Sequence, residues 1–470
     1  MHTSVGTVHG AVLSSSLLLI LGLIAQPTAS ASTPTTVAPS TQPVVSTLPI
    51  QLPPAQTLDA SWEAPWNPDH AMSRRRPWEQ VVLLPGRIVS LPLVGLGWAT
   101  DHALGAVEQR SPSFIGPTTH RVTQPRLLTL RLAHLGDRTG LGAAVVAQTP
   151  AQRLGRASLE YSASNKFYNR TEATWNGGPA SLQYGYEWRP QDRYYGVGTA
   201  SSKDSVSGFA MQREFVRAGA RWAWGRDSAS ARPRGAFNVW AGPRSEVTRS
   251  GREPGVLSYE QRFPGDAAGV LDTRVEHFIY GVSALVDHRA GAPHWNHGWR
   301  VLASAEQFVS PLGALALHSA AHDGATFSRY DVEAESGISM FRDPRTLRFA
   351  VHLTDQQVTA GREHFQVSDM AALGGHAGLG GFVAGRFHDM DLLLTRLTYV
   401  FPLVHRFEMD AHSEWGAVYP DLWHDASIRS LHRSLGLSLR SRSDRAPHGS
   451  VGFDWSGESV RFLYTLGAVE

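Results

Sequence analysis

Twenty-one histidines are spread through the 470 residues, and two pairs stand close enough to suggest a metal: His294 and His297 in HWNH, His318 and His322 in HSAAH. A zinc site needs three or four nitrogen, sulfur or carboxylate donors converging on one point. Neither pair has a third histidine or an acid at ligand spacing, and the chain has no cysteine, so no metal or other cofactor is expected. Glu306, Glu333, Glu335 and Asp410 could form a membrane-embedded acid pair of the phospholipase type. No serine and histidine can be placed beside them, and polar lining of a hydrated lumen accounts for them more simply. The stretch LGGHAGLGGFVAGRF, Leu373 to Phe387, holds six glycines in fifteen residues, yet no lysine follows them as a phosphate loop requires. Nucleophile-elbow and zinc-protease motifs are absent too. Enzymatic activity is therefore not expected, and the glycine-rich stretch needs another explanation.

The elements around these residues supply one. From about residue 126 to residue 470 the apolar period is two, the signature of strands. In SLQYGYEW, Leu182, Tyr184, Tyr186 and Trp188 share one face, while Ser181, Gln183, Gly185 and Glu187 share the other. SVRFLYTL repeats the rule, with Val460, Phe462 and Tyr464 opposed to Arg461 and Leu463. About sixteen or seventeen such segments occur, each near the length a tilted strand needs to cross a bilayer. The first candidate is Gly140 to Gln148 and the last Val460 to Leu466.

Periodicity alone fits a soluble sandwich equally well. Three features favour the membrane. Aromatic residues sit at strand ends (Tyr194 and Tyr195, Trp222 and Trp224, Tyr399 and Phe401) as in interfacial girdles. Tight turns such as WNGGPA at 175–180 alternate with long polar loops such as 242–269. An export signal also precedes the strands. The predicted fold is all-β: a transmembrane β-barrel of about 16 antiparallel strands over 126–470, with a short N-terminal helical segment.

Residues 1–31 read as a signal peptide, with an apolar run at 11–26 and a cleavage site at Ala29-Ser30-Ala31, though the leading residues carry no lysine or arginine. Residues 32–76 are a disordered Pro/Ser/Thr-rich linker, too polar to bury a core. Residues 77–108 form an amphipathic helical segment broken by Pro85, Gly86 and Pro92. Trp78 and Trp98 would anchor it at the membrane surface, with Arg74 to Arg76 facing head groups. A plug inside the barrel and a soluble helical hairpin are the alternatives. The net charge is +2, and its cations are scattered, so no nucleic-acid partner is expected.

LGGHAGLGGFVAGRFHDMDLLLTRLTYVFPL resembles the lumen loop and following strand of the BamA/TamA family of outer-membrane assembly factors, the bacterial surface-antigen barrels. RYYGVG at 193–198 is similar to a strand-loop element of that family, and RPWEQVVLLPGRIVSLPL to the segment preceding the barrel in members without periplasmic POTRA repeats. Five strand candidates after the loop match the family's sixteen-strand barrel, and coverage runs from about residue 74 to the end. Residues 32–76 are too few and too polar for one POTRA repeat. The resemblance implies insertion or translocation of outer-membrane proteins, or lipid transfer, through a lateral gate in the bacterial outer membrane. Implied partners are outer-membrane lipids, periplasmic partner proteins and client outer-membrane proteins.

It also implies site residues. The family's loop carries an arginine before a glycine-aromatic pair, and that arginine meets an acid on a nearby strand. The matching residues are Gly380, Gly381 and Phe382, so Arg386, four residues on, is the candidate substitute, and Glu414 in SEWGAV the candidate loop partner. Arg386 facing the lumen without a specific partner is the alternative. The terminal FLYTLGAVE lacks the closing aromatic residue of many outer-membrane barrels. The rival functions are a passive diffusion channel, with the loop constricting the pore, and an adhesive surface protein presenting loop 242–269.

Overall fold

A computed structural model describes the chain from residue 128 to residue 466 apart from short breaks in connections. The expected signal peptide, linker and helical segment (1–31, 32–76 and 77–108) lie outside the described residues. The first strands are β1 (Leu128–Ala133), β2 (Gly142–Gln148), β3 (Arg156–Ser164), β4 (Asn169–Gly177), β5 (Ala180–Tyr194), β6 (Ser207–Arg226) and β7 (Pro233–Ser250). After the short β8 (Leu257–Ser258) come β9 (Arg274–Asp287), β10 (Gly298–Val309), the short β11 (His322–Asp323), β12 (Thr326–Met340) and β13 (Arg345–Ala360). A small hairpin, β14 (Ala371–Leu373) and β15 (Phe387–Asp389), lies inside the next connection. The last described strands are β16 (Asp391–Val404), β17 (Phe407–Tyr419), β18 (His432–Ser441), β19 (Gly449–Ser456) and β20 (Val460–Leu466).

Among the described residues the long strands form one antiparallel sheet of sixteen, each paired with the next. Two expectations are adjusted. Among the described residues the sheet begins one strand before Gly140, at β1, and β7 runs to Ser250, so the first part of the presumed loop 242–269 is strand. In that part the side chains are polar but the backbone still pairs with β6 and β9. The rest of the connection carries two short helices, α1 (Tyr259–Arg262) and α2 (Pro264–Ala267). Tyr259 of α1 packs with Tyr194, Phe209 and Met211.

Long connections (195–206, 251–273, 310–325, 361–390 and 420–431) gather at one end of the strands and short turns such as 178–179 at the other. The two-residue period sorts the faces. Trp222, Trp224, Phe349, Phe453 and Phe462 are exposed on the outside, as expected of strands facing lipid. Glu408, Asp410 and Glu414 of β17 are buried on the inside. The connection 361–390 bonds to β6 and β7 through one part and to β17, β18 and β20 through another. Strands far apart in sheet order thus meet one loop, so the sheet curls round it.

Candidate functional site

The loop is anchored twice. Its stem, 366–370, lies against the β6–β7 wall. The Thr248 hydroxyl donates to Gln366 Oε1 at 2.7 Å, and Gln356 Nε2 donates to the Asp369 carbonyl at 2.8 Å. Arg244 bridges Glu246 and Asp369, and Arg213 Nε meets Glu246 Oε2 at 2.8 Å. Glu246 and Asp369 are almost wholly buried. Two arginines facing two carboxylates balance the charge, as buried ions require. Sequence reasoning missed this cluster because Arg244 and Glu246 fall in a stretch that reads as a polar loop; their i, i+2 spacing was the only available signal.

Past the stem, Leu373, Leu379, Phe382 and Phe387 of the loop pack with Leu392, Leu394 and Val418 of the barrel wall. Here the semi-apolar composition of the stretch has its use: it supplies the loop's half of a core built against the inner wall. Phe382 meets Phe387 edge-on at 5.2 Å, and His432 stacks on Phe387 at 4.1 Å.

The tip, Gly380 to Phe382, reaches the end of the sheet. Gly380 N–H donates to Glu414 Oε2 at 2.7 Å and Gly381 N–H to Ser434 Oγ at 2.8 Å. The Gly381 carbonyl accepts from Ser456 Oγ at 2.9 Å and Ser459 Oγ at 2.7 Å. Arg461 of β20 donates to the carbonyls of Gly380 and Phe382. A Cβ on Gly380 would stand 1.7 Å from Asp454 Oδ2, and one on Gly381 2.5 Å from the Trp455 carbonyl carbon. Gly381 therefore lies with its backbone directly on the wall backbone and requires glycine, while a side chain at Gly380 would have to displace the Asp454 carboxylate.

No protein-family model matches the sequence, and no curated protein matches it either. Among solved structures, BamA from Haemophilus ducreyi lacking POTRA domains 1–3 superposes with a TM-score of 0.52 at 10% identity, over 78% of this chain and 78% of that one. The fold is that of a BamA-type barrel. CdiB from Acinetobacter baumannii aligns over 72% of this chain and 58% of its own (TM-score 0.43, 10% identity). CdiB from Escherichia coli aligns over 73% and 63% (TM-score 0.45, 11% identity).

Within this BamA-type barrel the expected Arg386–Glu414 pair does not form. Arg386 is 3% exposed and pairs with Glu458, in the turn between β19 and β20, at 2.9 Å. It also donates to Ser201 Oγ at 2.8 Å and lies over the Tyr195 and Phe387 rings. Glu414 is fully buried and is held by Arg396 of the neighbouring strand, besides the Gly380 N–H. The reason is reach: Arg396 lies opposite Glu414 in register, whereas the chain beyond Phe382 turns back toward the mouth of the barrel. The RYYGVG element docks there. Gly198 N–H donates to the His388 carbonyl at 2.8 Å, and Tyr194 meets the His388 ring edge-on at 5.4 Å. Burial pushes the His388 imidazole down to about 4, and its Nδ1 has no hydrogen-bond partner among the described residues.

The inward acids each lie beside a cation. Glu306 meets Arg217 at 3.5 Å, Glu333 meets Arg300 at 3.6 Å, Glu335 meets Arg289 at 3.4 Å, and Asp410 meets Arg440 at 3.1 Å. None of these is an acid-acid pair. His412, Glu414 and Asp454 place one donor atom each within 4.8 Å of one another. All three are already engaged: His412 lies between Asp410 (3.0 Å) and Asp454 (3.3 Å), and Glu414 is held as above. A cation there would have to displace these bonds. Glu333, Glu335, Arg300, His352 and Arg396 border an open cavity of about 190 Å³.

Proposed function

We propose that this chain is a non-enzymatic barrel of the bacterial outer membrane that inserts or translocates proteins, or moves lipid, through a lateral seam between β1 and β20. One observation carries the reading. The tip of the lumen loop bonds to the β19–β20 hairpin, while among the described residues no ladder joins β20 to β1. Each backbone hydrogen bond contributes about 0.5–1.5 kcal/mol net, so a seam with few of them separates at low cost. The loop holds the last hairpin from inside instead. Loop release and seam opening are then linked steps, and the seam presents unpaired strand edges to a client strand or to lipid. Outer-membrane lipids, client outer-membrane proteins and periplasmic partner proteins are the partners this reading names.

The test uses the absence of native cysteine. Cysteine pairs are placed across the seam, one in Leu128–Ala133 and one in Val460–Leu466, and outer-membrane assembly is followed with and without reductant. Crosslinking with reversible loss of function is expected. Crosslinking with function intact would refute a gate. The polar, charge-paired lining beside the cavity favours a second reading, a diffusion channel. Large stable conductance in planar bilayers would support the channel, and small flickering currents the assembly factor.

A further inference from the structure

The connection between β17 and β18 holds a short helix, α3 (Leu422–Asp425), and its side chains divide sharply. Leu422 is buried against Ala417 and Tyr419, with Leu353, Leu393 and Leu431 around it. Trp423 is 70% exposed and Ile428 88% exposed. The face on which Leu422 packs follows from register. Val418 and Leu394 touch the lumen loop, so their strands' alternate residues, Ala417, Tyr419 and Leu393, point outward. Leu353 lies opposite Leu393 and points outward with it. The connection 420–431 therefore folds down over the outer wall of the barrel.

Its height on that wall can be worked out. Phe401, beside Tyr399 at the turn end of β16, is ten residues from Asp391, where the helix sits. At about 3.3 Å per residue and a tilt near 40°, the separation along the barrel axis is about 25 Å. That is the height of the apolar band of such barrels, whose two edges carry aromatic girdles. Phe349 and Leu397, both exposed on the outer face between these levels, belong to the band. The helix thus stands at the band's far edge, and Trp423 and Ile428 continue its apolar surface.

The segment is also tied down by hydrogen bonds. Asp391 accepts from Leu422 N–H at 2.7 Å and Asp421 from Trp423 N–H at 3.0 Å. Ser427 Oγ accepts from Arg429 N–H at 3.2 Å, and the Tyr419 hydroxyl bonds to Ser430 Oγ at 3.0 Å. Holding two large apolar side chains outward in water has no structural return, whereas an interfacial bilayer layer accepts both, with the exposed Arg429 available to head groups.

We propose that the β17–β18 connection is a membrane-interface anchor that seats Trp423 and Ile428 among the head groups and upper acyl chains of the leaflet at the loop end of the barrel. The proposal rests on the membrane-barrel reading. It fixes the depth of β16 and β17, the strands that grip the loop core and, through Glu414, the loop tip.

The test attaches an environment-sensitive fluorophore at single cysteines in the full chain: W423C, I428C, F453C in the outer band and K203C in a mouth loop. Each variant is refolded into phosphatidylcholine–phosphatidylglycerol vesicles and checked for folding by heat-modifiable migration on gels. Lipids brominated near the head group should quench the 423 and 428 labels at least about half as strongly as the Phe453 label, with the Lys203 label unaffected. If the Phe453 label is quenched while the 423 and 428 labels are not and yield to aqueous iodide, the proposal is overturned. Shielding of both from lipid and iodide alike overturns it in favour of a protein contact. Lack of quenching at Phe453 as well overturns it together with the membrane-barrel reading.

Discussion

Removing the Glu458 carboxylate should undock the loop far more than its place in a short surface turn suggests. Arg386 is 3% exposed, whereas the Glu458 side chain is 25% exposed. Glu458→Ala leaves a buried guanidinium without its carboxylate, which costs about 3 kcal/mol. Because every 1.4 kcal/mol is tenfold, the undocked fraction should rise about a hundredfold. Arg386→Ala leaves only a partly hydrated carboxylate, but also loses the bonds to Ser201 and the ring contacts, so its total effect should be similar. The double variant should then fall short of the sum by about 1–2 kcal/mol, the coupling of the pair. A suitable readout is the labelling rate of Ala371→Cys by a membrane-impermeant maleimide, since Ala371 is buried in the docked loop and reacts only through opening. Glu414→Gln combined with Arg386→Ala should be additive within about 0.5 kcal/mol. Coupling of Arg386 to Glu414 with none to Glu458 would refute this geometry.

The same labelling assay checks three further expectations. Gly380→Ala drives a methyl into Asp454 and forces the tip off the wall, at about 1–3 kcal/mol of overpacking plus the bond to Glu414; unchanged labelling would show that the wall yields. Arg244→Met leaves Glu246 and Asp369 buried with less compensation, and should destabilise stem docking by about 3–5 kcal/mol, visible as fast labelling and loss of the compact band on unheated gels. The His388 imidazole titrates near 4 when docked and near 6.5 when free. The undocked loop therefore binds more protons between these values, and docking weakens as pH falls from 6.5 toward 4, by about 2 kcal/mol at pH 5. His388→Phe should flatten that dependence, and an equally steep profile in the variant would remove His388 as its source.

The sequence by itself determined the class of structure and the place of the loop. Alternation such as Val460, Phe462 and Tyr464 against Arg461 has one physical meaning, a strand with unlike faces, and the five strand candidates after the glycine-rich stretch correspond to β16 through β20. The tertiary structure decided what was inside and which charges met. The alternation of β7 fades into polar residues before its backbone pairing stops, because pairing with β6 and β9 needs no apolar side chain. The family resemblance implied Glu414 as the partner of Arg386, yet curvature of the sheet brings the β19–β20 turn to Arg386 and leaves Glu414 to the Gly380 N–H and Arg396. Trp423 and Ile428 look unremarkable in a row of loop residues; only the register of β13, β16 and β17 shows that their loop lies on the outer wall. Face and period are local properties written along one strand. Partners across a barrel depend on how far the whole sheet has turned, which no single stretch of chain records.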